Sequence, residues 1–190
     1  MADFAAVVLA GGRASRLGGV DKVMLPVGGR SLLDRTLEAL RGADPVVVVG
    51  PRRPEVPGVR WTVEEPAGGG PLAAVDAGLR CLGPGDAVVA ILAGDHPHLT
   101  RDTLDRLREA LRRDPEAGGA VLAEPGGRPQ WLLGVWRVRA LREAMPAEVR
   151  NRPVRAVFDA LDPVRVPATT AEVSDVDTQD DLDRARSADR

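Results

Sequence analysis

The stretch Phe4-Ala5-Ala6-Val7-Val8-Leu9-Ala10-Gly11-Gly12-Arg13-Ala14-Ser15-Arg16-Leu17-Gly18-Gly19-Val20-Asp21-Lys22 decides how the rest of the chain is read. The unbroken apolar run Phe4–Leu9 predicts a strand buried on both faces, and the run Leu9–Lys22 predicts a glycine-rich loop leaving its carboxyl end. Glycines there let the backbone turn tightly and bring N–H groups against a polyphosphate without Cβ clashes. Arg13, Arg16 and Lys22 add positive charge to neutralise such an anion. Two familiar phosphate loops do not fit. Lys22 follows Asp21 and precedes Val23, unlike G-x-x-x-x-G-K-[ST], and the glycines come in adjacent pairs rather than as G-x-G-x-x-G.

Working outward, apolar runs alternate with helical patterns. Ser31-Leu32-Leu33-Asp34 reads as a capping box opening a helix with Leu33, Leu37 and Leu40 on its apolar face. Val46–Val49 and Ala87–Leu92 read as fully buried strands, and Val59–Val63, Ala120–Ala123 and Trp131–Trp136 as further ones. Pro71 takes a first-turn position in a helix closed by Gly83, and Thr100 or Asp102 caps the next, which carries Leu104, Leu107 and Leu111. Val154, Val157, Phe158 and Leu161 mark another helix, Val164 and Val166 a short strand, and the last dozen or so residues a charged terminal helix. The expected fold class is α/β: a three-layer, doubly wound, mainly parallel, Rossmann-like sheet in a single domain spanning 1–190. Ligands of such sheets bind beyond the carboxyl ends of the strands.

The composition narrows the partners. Net charge is −2 with a pI near 5.8, so no basic field invites nucleic acid or an anionic membrane. No apolar run approaches the roughly 20 residues that span a bilayer, and no signal peptide is visible, so the expected location is cytoplasmic. The lone Cys81 rules out an intramolecular disulfide and reads as a buried structural thiol in a helix. Of the 26 basic residues, only Lys22 is lysine. A compact ammonium and a planar guanidinium are not interchangeable, so the surviving lysine is read as sitting where only an ammonium fits.

Asp95, just past a buried strand in Ala93-Gly94-Asp95-His96-Pro97, stands where a Mg²⁺ ion bound to a triphosphate needs a hard oxygen ligand. Asp177 is read either as a second metal ligand or as the cap of the last helix. His96 and His98 would need extra carboxylates to hold four-coordinate zinc and are read as loop residues near the site.

Residues Leu9, Ala10, Gly11, Gly12, Ser15, Arg16, Leu17, Gly18, Asp21 and Lys22 resemble the signature L-A-G-G-x-S-x-R-[ML]-G-x-D-K of the molybdenum cofactor guanylyltransferases, the MobA-like branch of the nucleotidyltransferases. One glycine, Gly19, is extra. Glu64–Ala73 resembles that family's E-D-x-x-x-G-x-G-P-L-A-G, the segment at Asp95 its metal-binding Asp-x-Pro, and Ser174–Leu182 its closing N-x-N-T-P-E-[DE]-L, with Asp177 at the second Asn and Gln179 in place of proline. The resemblance implies GMP transfer from GTP to the phosphate of molybdopterin with Mg²⁺ as cofactor. It implies Lys22, Arg16 and Asp95 as catalytic residues and Asp95 and Asp177 on the metal. Leu9, Ala10, Gly11, Gly12, Arg13, Lys22, Glu65, Gly70 and Asp95 would meet the nucleotide, with Glu65 at the guanine. Gly127–Gln130 and Arg152–Arg155 resemble segments facing the pterin acceptor. Partners would be GTP, molybdopterin and, transiently, other cofactor-biosynthesis proteins. Two rivals stay open: a cytidylyltransferase or sugar-phosphate nucleotidyltransferase of the same superfamily, and a non-catalytic nucleotide-binding regulator.

Overall fold

A computed structural model describes residues 4–11, 19–84 and 87–189. Its centre is a seven-stranded sheet in the order β5-β4-β1-β6-β8-β7-β9. The strands are β1 (Ala5–Leu9), β4 (Val46–Val49), β5 (Arg60–Thr62), β6 (Val88–Ala93), β7 (Gly119–Ala123), β8 (Pro129–Arg137) and β9 (Val164–Pro167). β5, β4, β1 and β6 run parallel. β8 runs antiparallel to both β6 and β7, and β9 is parallel to β7, which fits the mainly parallel expectation.

Each central strand is apolar on both faces because helices cover both. Ala6, Val8, Val48, Ala90 and Leu92 pack with Leu33 of α1 (Leu32–Ala39) and Leu104, Leu107 and Leu111 of α3 (Arg101–Arg113). The alternate residues Ala5, Val7, Val47, Val49, Val89 and Ile91 pack with Leu72, Val75 and Leu79 of α2 (Pro71–Arg80) and with Leu141 of α4 (Val138–Ala144) and Phe158 of α5 (Arg155–Phe158). The period of two along each strand thus supplies two cores, one per helical layer. Gly78 lets α2 lie close on β1, since a Cβ there would sit 2.4 Å from Val7 Cγ1. A third, smaller core joins α7 (Gln179–Ala188) to the start of α1 and to β2 (Pro26–Val27), which forms a two-residue hairpin with β3 (Arg30–Ser31), through Val27, Leu32, Val176, Leu182 and Ala185.

The expected caps are present: Ser31 with Asp34, and Thr100 rather than Asp102, each form reciprocal boxes, and Pro71 opens α2. Two expected helices differ in extent. α2 ends at Arg80 with Cys81 as its C-cap, short of Gly83, and Cys81 is only half-buried, its Sγ donating to the Ala77 carbonyl at 3.5 Å. The 154–161 helix is one α-turn followed by a 3-10 turn, Asp159–Leu161. Neither α4, α6 (Thr170–Val173) nor the β2–β3 hairpin was expected. Among the described residues, no helix is long and apolar enough to cross a membrane.

Register sets the position of the site. Leu9 pairs with Val49 on one side and Ala93 on the other, so β1, β4 and β6 end at the same edge. The chain leaves β1 to build β4 on one side and returns to add β6 on the other. This is the strand-order reversal where open α/β sheets form a crevice.

Candidate active site

The first wall of that crevice is the start of the glycine-rich loop. Leu9 carbonyl accepts from Gly94 N–H at 2.9 Å, and Ala10 N–H donates to Val49 carbonyl at 2.8 Å, so the loop's entry is pinned to both neighbouring strands. Leu9, Ala10 and Gly11 lie at this edge as expected; Gly12, Arg13 and Arg16 lie outside the described residues. At the loop's exit, Asp21 leads into a 3-10 turn, Lys22–Met24, that carries the single lysine back toward the end of β6.

There the Lys22 ammonium bonds Asp95 Oδ2 at 2.7 Å and also bonds Asp177 Oδ1, with only 17% of its side chain exposed. Val176 is fully buried in the small third core, and its N–H donates to the Asp95 carbonyl at 3.1 Å. In extended backbone the residues on either side of it point the other way, so anchoring Val176 presents both Asp175 and Asp177 to Asp95. Carboxylate oxygens of Asp95, Asp175 and Asp177 lie within 4.8 Å of one another. Asp175 is the acid that sequence reasoning missed. Its signal was the Asp175-Val176-Asp177 alternation, quoted for Asp177 alone. The cap reading of Asp177 is excluded, because Thr178 is the N-cap of α7 and forms its box with Asp181.

Burial pushes the Asp95 carboxyl upward, but the hydrogen bond from His96 Nδ1 (2.9 Å) and the electrostatic attraction of that ring, followed by the Lys22 charge, outweigh it and hold Asp95 well below the usual carboxylate range. Burial likewise acts to lower Lys22, and the Asp95 charge and the Asp177 hydrogen bond outweigh it to raise the ammonium's pKa. Both groups are therefore charged at neutral pH. Three carboxylates and one ammonium leave a net −2, the charge that one divalent ion neutralises.

Asp95, His96 and Asp175 line a cleft of about 870 Å³ together with Gln130, Trp131, Arg155 and Arg165. Of the residues expected to face an acceptor, all of Gly127–Gln130 line it, as do Val154 and Arg155; Arg152 and Pro153 are exposed and do not. Arg128 and Gln130 both pair with Glu124. Glu65 stands exposed in the 64–70 loop that follows β5, while its neighbour Glu64 accepts from Gly68 N–H at 3.1 Å and shapes the turn. Gly70, at φ 88°, is the N-cap of α2, and Asn151 N–H holds Gly69 carbonyl at 2.7 Å.

An α/β sheet with a glycine-rich loop and a carboxylate cluster meeting at its strand-order reversal defines a nucleotide-handling class of protein. Residues 6–164 match the model of the MobA-like NTP transferase domain. A molybdenum cofactor guanylyltransferase of Mesorhizobium japonicum is 33% identical over 169 residues, covering 84% of this chain and 79% of its own. The chain belongs to the MobA-like NTP transferase family. Among solved structures, molybdopterin-guanine dinucleotide biosynthesis protein A from Archaeoglobus fulgidus superposes with a TM-score of 0.69 at 20% identity, covering 97% of this chain and 98% of that one. The 2-C-methyl-D-erythritol 4-phosphate cytidylyltransferase of Thermus thermophilus does so with 0.73 at 24% identity, covering 98% and 99%. These two share the fold.

Proposed function

We propose that this chain transfers GMP from GTP to the phosphate of molybdopterin, releasing pyrophosphate, and that it works in the cytoplasm. The observation that carries the reading is the meeting of Lys22 with Asp95, Asp175 and Asp177 between the glycine-rich loop and the cleft. The names of relatives at a third identity favour guanylyl transfer over the other chemistries of the fold.

The donor set fits Mg²⁺: three hard oxygen ligands of net negative charge at the end of a buried strand, with room beside them for substrate oxygens. Bound there, the ion would neutralise charge on the phosphates and hold them in line. Asp95 and Asp177 are its proposed ligands, joined by Asp175. His96 donates to Asp95 Oδ1 and so leaves Oδ2 to face Lys22 and the cleft. The backbone of Leu9–Gly12 with Arg13 and Arg16 would cradle the triphosphate, and Lys22 would give its ammonium to phosphate oxygens once the acids are otherwise neutralised. Glu65 would accept from guanine N1–H and N2–H₂. Arg155 and Arg165 would receive the acceptor's phosphate by bidentate pairing.

An acceptor phosphate oxygen attacks the α-phosphorus, the bond to the β-bridging oxygen breaks, and pyrophosphate leaves with that electron pair. The attacking group is already an anion at neutral pH, so the chain needs no strong base. Alignment and charge neutralisation carry the rate. Mass spectrometry of a reaction containing GTP, Mg²⁺ and molybdopterin tests the assignment. A molybdopterin–GMP conjugate is expected; a CMP conjugate formed in preference when CTP is added beside GTP would replace guanine in the assignment, and no conjugate at all would overturn it.

A further inference from the structure

Directly after β4 the chain reads Gly50-Pro51-Arg52-Arg53-Pro54, a segment the glycine-rich loop gave no reason to single out. Gly50, at φ 150°, brings it beneath the start of that loop: a Cβ there would lie 2.7 Å from the Ala10 carbonyl oxygen. The Arg53 side chain is buried, only 7% exposed. Its Nε and Nη2 donate to Asp21 Oδ2 and Oδ1, both at 2.7 Å, as a two-pronged pair. Nη2 also donates to the Ala10 carbonyl at 3.1 Å and Nη1 to the Pro51 carbonyl at 3.0 Å, with the guanidinium 5.7 Å from the centre of the Trp61 ring.

Ala10 and Asp21 are the two stems of the glycine-rich loop. One planar cation therefore holds the loop's entry and exit at a fixed separation, and Asp21 is the residue from which the Lys22 turn starts. We propose that Arg53 is a positioning residue that clasps the two stems of this loop, presetting Ala10 at its entry and Asp21 and Lys22 at its exit for the polyphosphate of a nucleoside triphosphate. The proposal rests on the reading of the loop as a triphosphate cradle. Its physical content is preorganisation: stems already held at a fixed separation spend less binding energy on ordering when the anion arrives. Only a guanidinium supplies both prongs and the third bond to Ala10 in one plane, so lysine cannot replace it.

The test uses Arg53→Lys, Asp21→Asn and the double variant, with affinities for GTP and GMP measured by calorimetry in Mg²⁺ alongside thermal melting. Asp21 is half exposed, so Asp21→Asn keeps the fold even where a change at the buried Arg53 lowers stability. Each single change should weaken GTP binding by about tenfold or more, the worth of a charge-assisted pair, and GMP binding by less than about twofold. The double variant should be no worse than the poorer single, because both remove one clasp. Wild-type GTP affinity in Asp21→Asn and Arg53→Lys, equal losses for GMP and GTP, or additive losses would overturn the proposal. A wild-type protein that binds GMP as tightly as GTP would overturn the triphosphate reading of the loop and this inference with it.

Discussion

Lys22→Met separates the two jobs assigned to the lysine, because it keeps the aliphatic stem and deletes the charge. The ammonium bonds Asp95 and Asp177 in a cluster whose carboxylate oxygens lie within 4.8 Å. Two like charges at that separation repel by about 3.5 kcal/mol at an effective dielectric near 20. Breaking a fully buried pair costs roughly 3–5 kcal/mol, but exposed pairs are worth about 1 or less. Lys22 is 17% exposed, Asp95 21% and Asp177 49%, so the pair falls between those limits. A loss near 2 kcal/mol is the expectation, about midway between those values. Mg²⁺ should reverse it, since the ion no longer competes with an ammonium for the same acids; at tenfold over its Kd it returns about 1.4 kcal/mol. Turnover should nevertheless fall about 10²- to 10³-fold, as when a preorganised electrostatic donor is removed. The assay is thermal melting with and without Mg²⁺, beside pyrophosphate release at saturating Mg²⁺. A larger Mg²⁺-induced rise in Tm than in wild type, with turnover collapsed, is predicted. Turnover within threefold of wild type would refute the catalytic role, and a smaller Mg²⁺ effect on Tm would refute the competition at the acids.

Other perturbations probe other parts. Asp175→Asn should raise the Mg²⁺ concentration needed for half-maximal rate by about tenfold, in the range seen when a group supporting a metal site is removed; an unchanged Mg²⁺ dependence would drop Asp175 from the ligand set. Glu65→Gln should narrow the preference for GTP over other triphosphates by roughly 1–3 kcal/mol, read as the ratio of kcat/KM values, because the amide offers one acceptor instead of two. Gly50→Ala should destabilise the fold by roughly 1–3 kcal/mol or more in a melt, because the new methyl meets the Ala10 carbonyl. The Lys22–Asp95 pair sets a pH window. Asp95's depressed pKa gives stability that is complete above its ordinary 3.8 and lost as pH falls further; Lys22's raised pKa gives stability that is complete below its ordinary 10.5 and lost above it. The unfolding free-energy difference between wild type and Lys22→Met should therefore stay flat from about pH 5 to about pH 9, an interval lying more than one unit inside either limit. A slope across that interval would contradict the charge assignment.

Much of the fold was legible because its signals are local. Four valines in a row at 46–49 have few homes other than a strand covered on both sides, and the Ser31–Asp34 box encodes both partners of its cap within one turn. The pieces that escaped are short or depend on distant packing. The β2–β3 hairpin has two residues per strand, and α4, with only Val138 and Leu141 buried, shows too few apolar positions to reveal a period. The same division runs through the site. Lys22 and Asp95 stand at the ends of strongly marked elements. Asp175 enters only because Val176 is anchored to Asp95, and Arg53 only because it reaches Asp21 across 32 positions of sequence. No local pattern carries either pairing. The ambiguity at Asp177 was likewise local, since Asp and Thr both cap helices, and the reciprocal box of Thr178 with Asp181 gives the cap to Thr178.

The central claim is that Lys22, Asp95 and the Asp175–Asp177 pair form the transfer site of a Mg²⁺-dependent guanylyltransferase. Pyrophosphate release, measured with GTP or CTP, with or without molybdopterin, and with Mg²⁺ or a chelator, tests it most directly. The account predicts release that needs GTP, molybdopterin and Mg²⁺ together and disappears in Asp95→Asn. Release with CTP in place of GTP, or no release under any of these conditions, would contradict it.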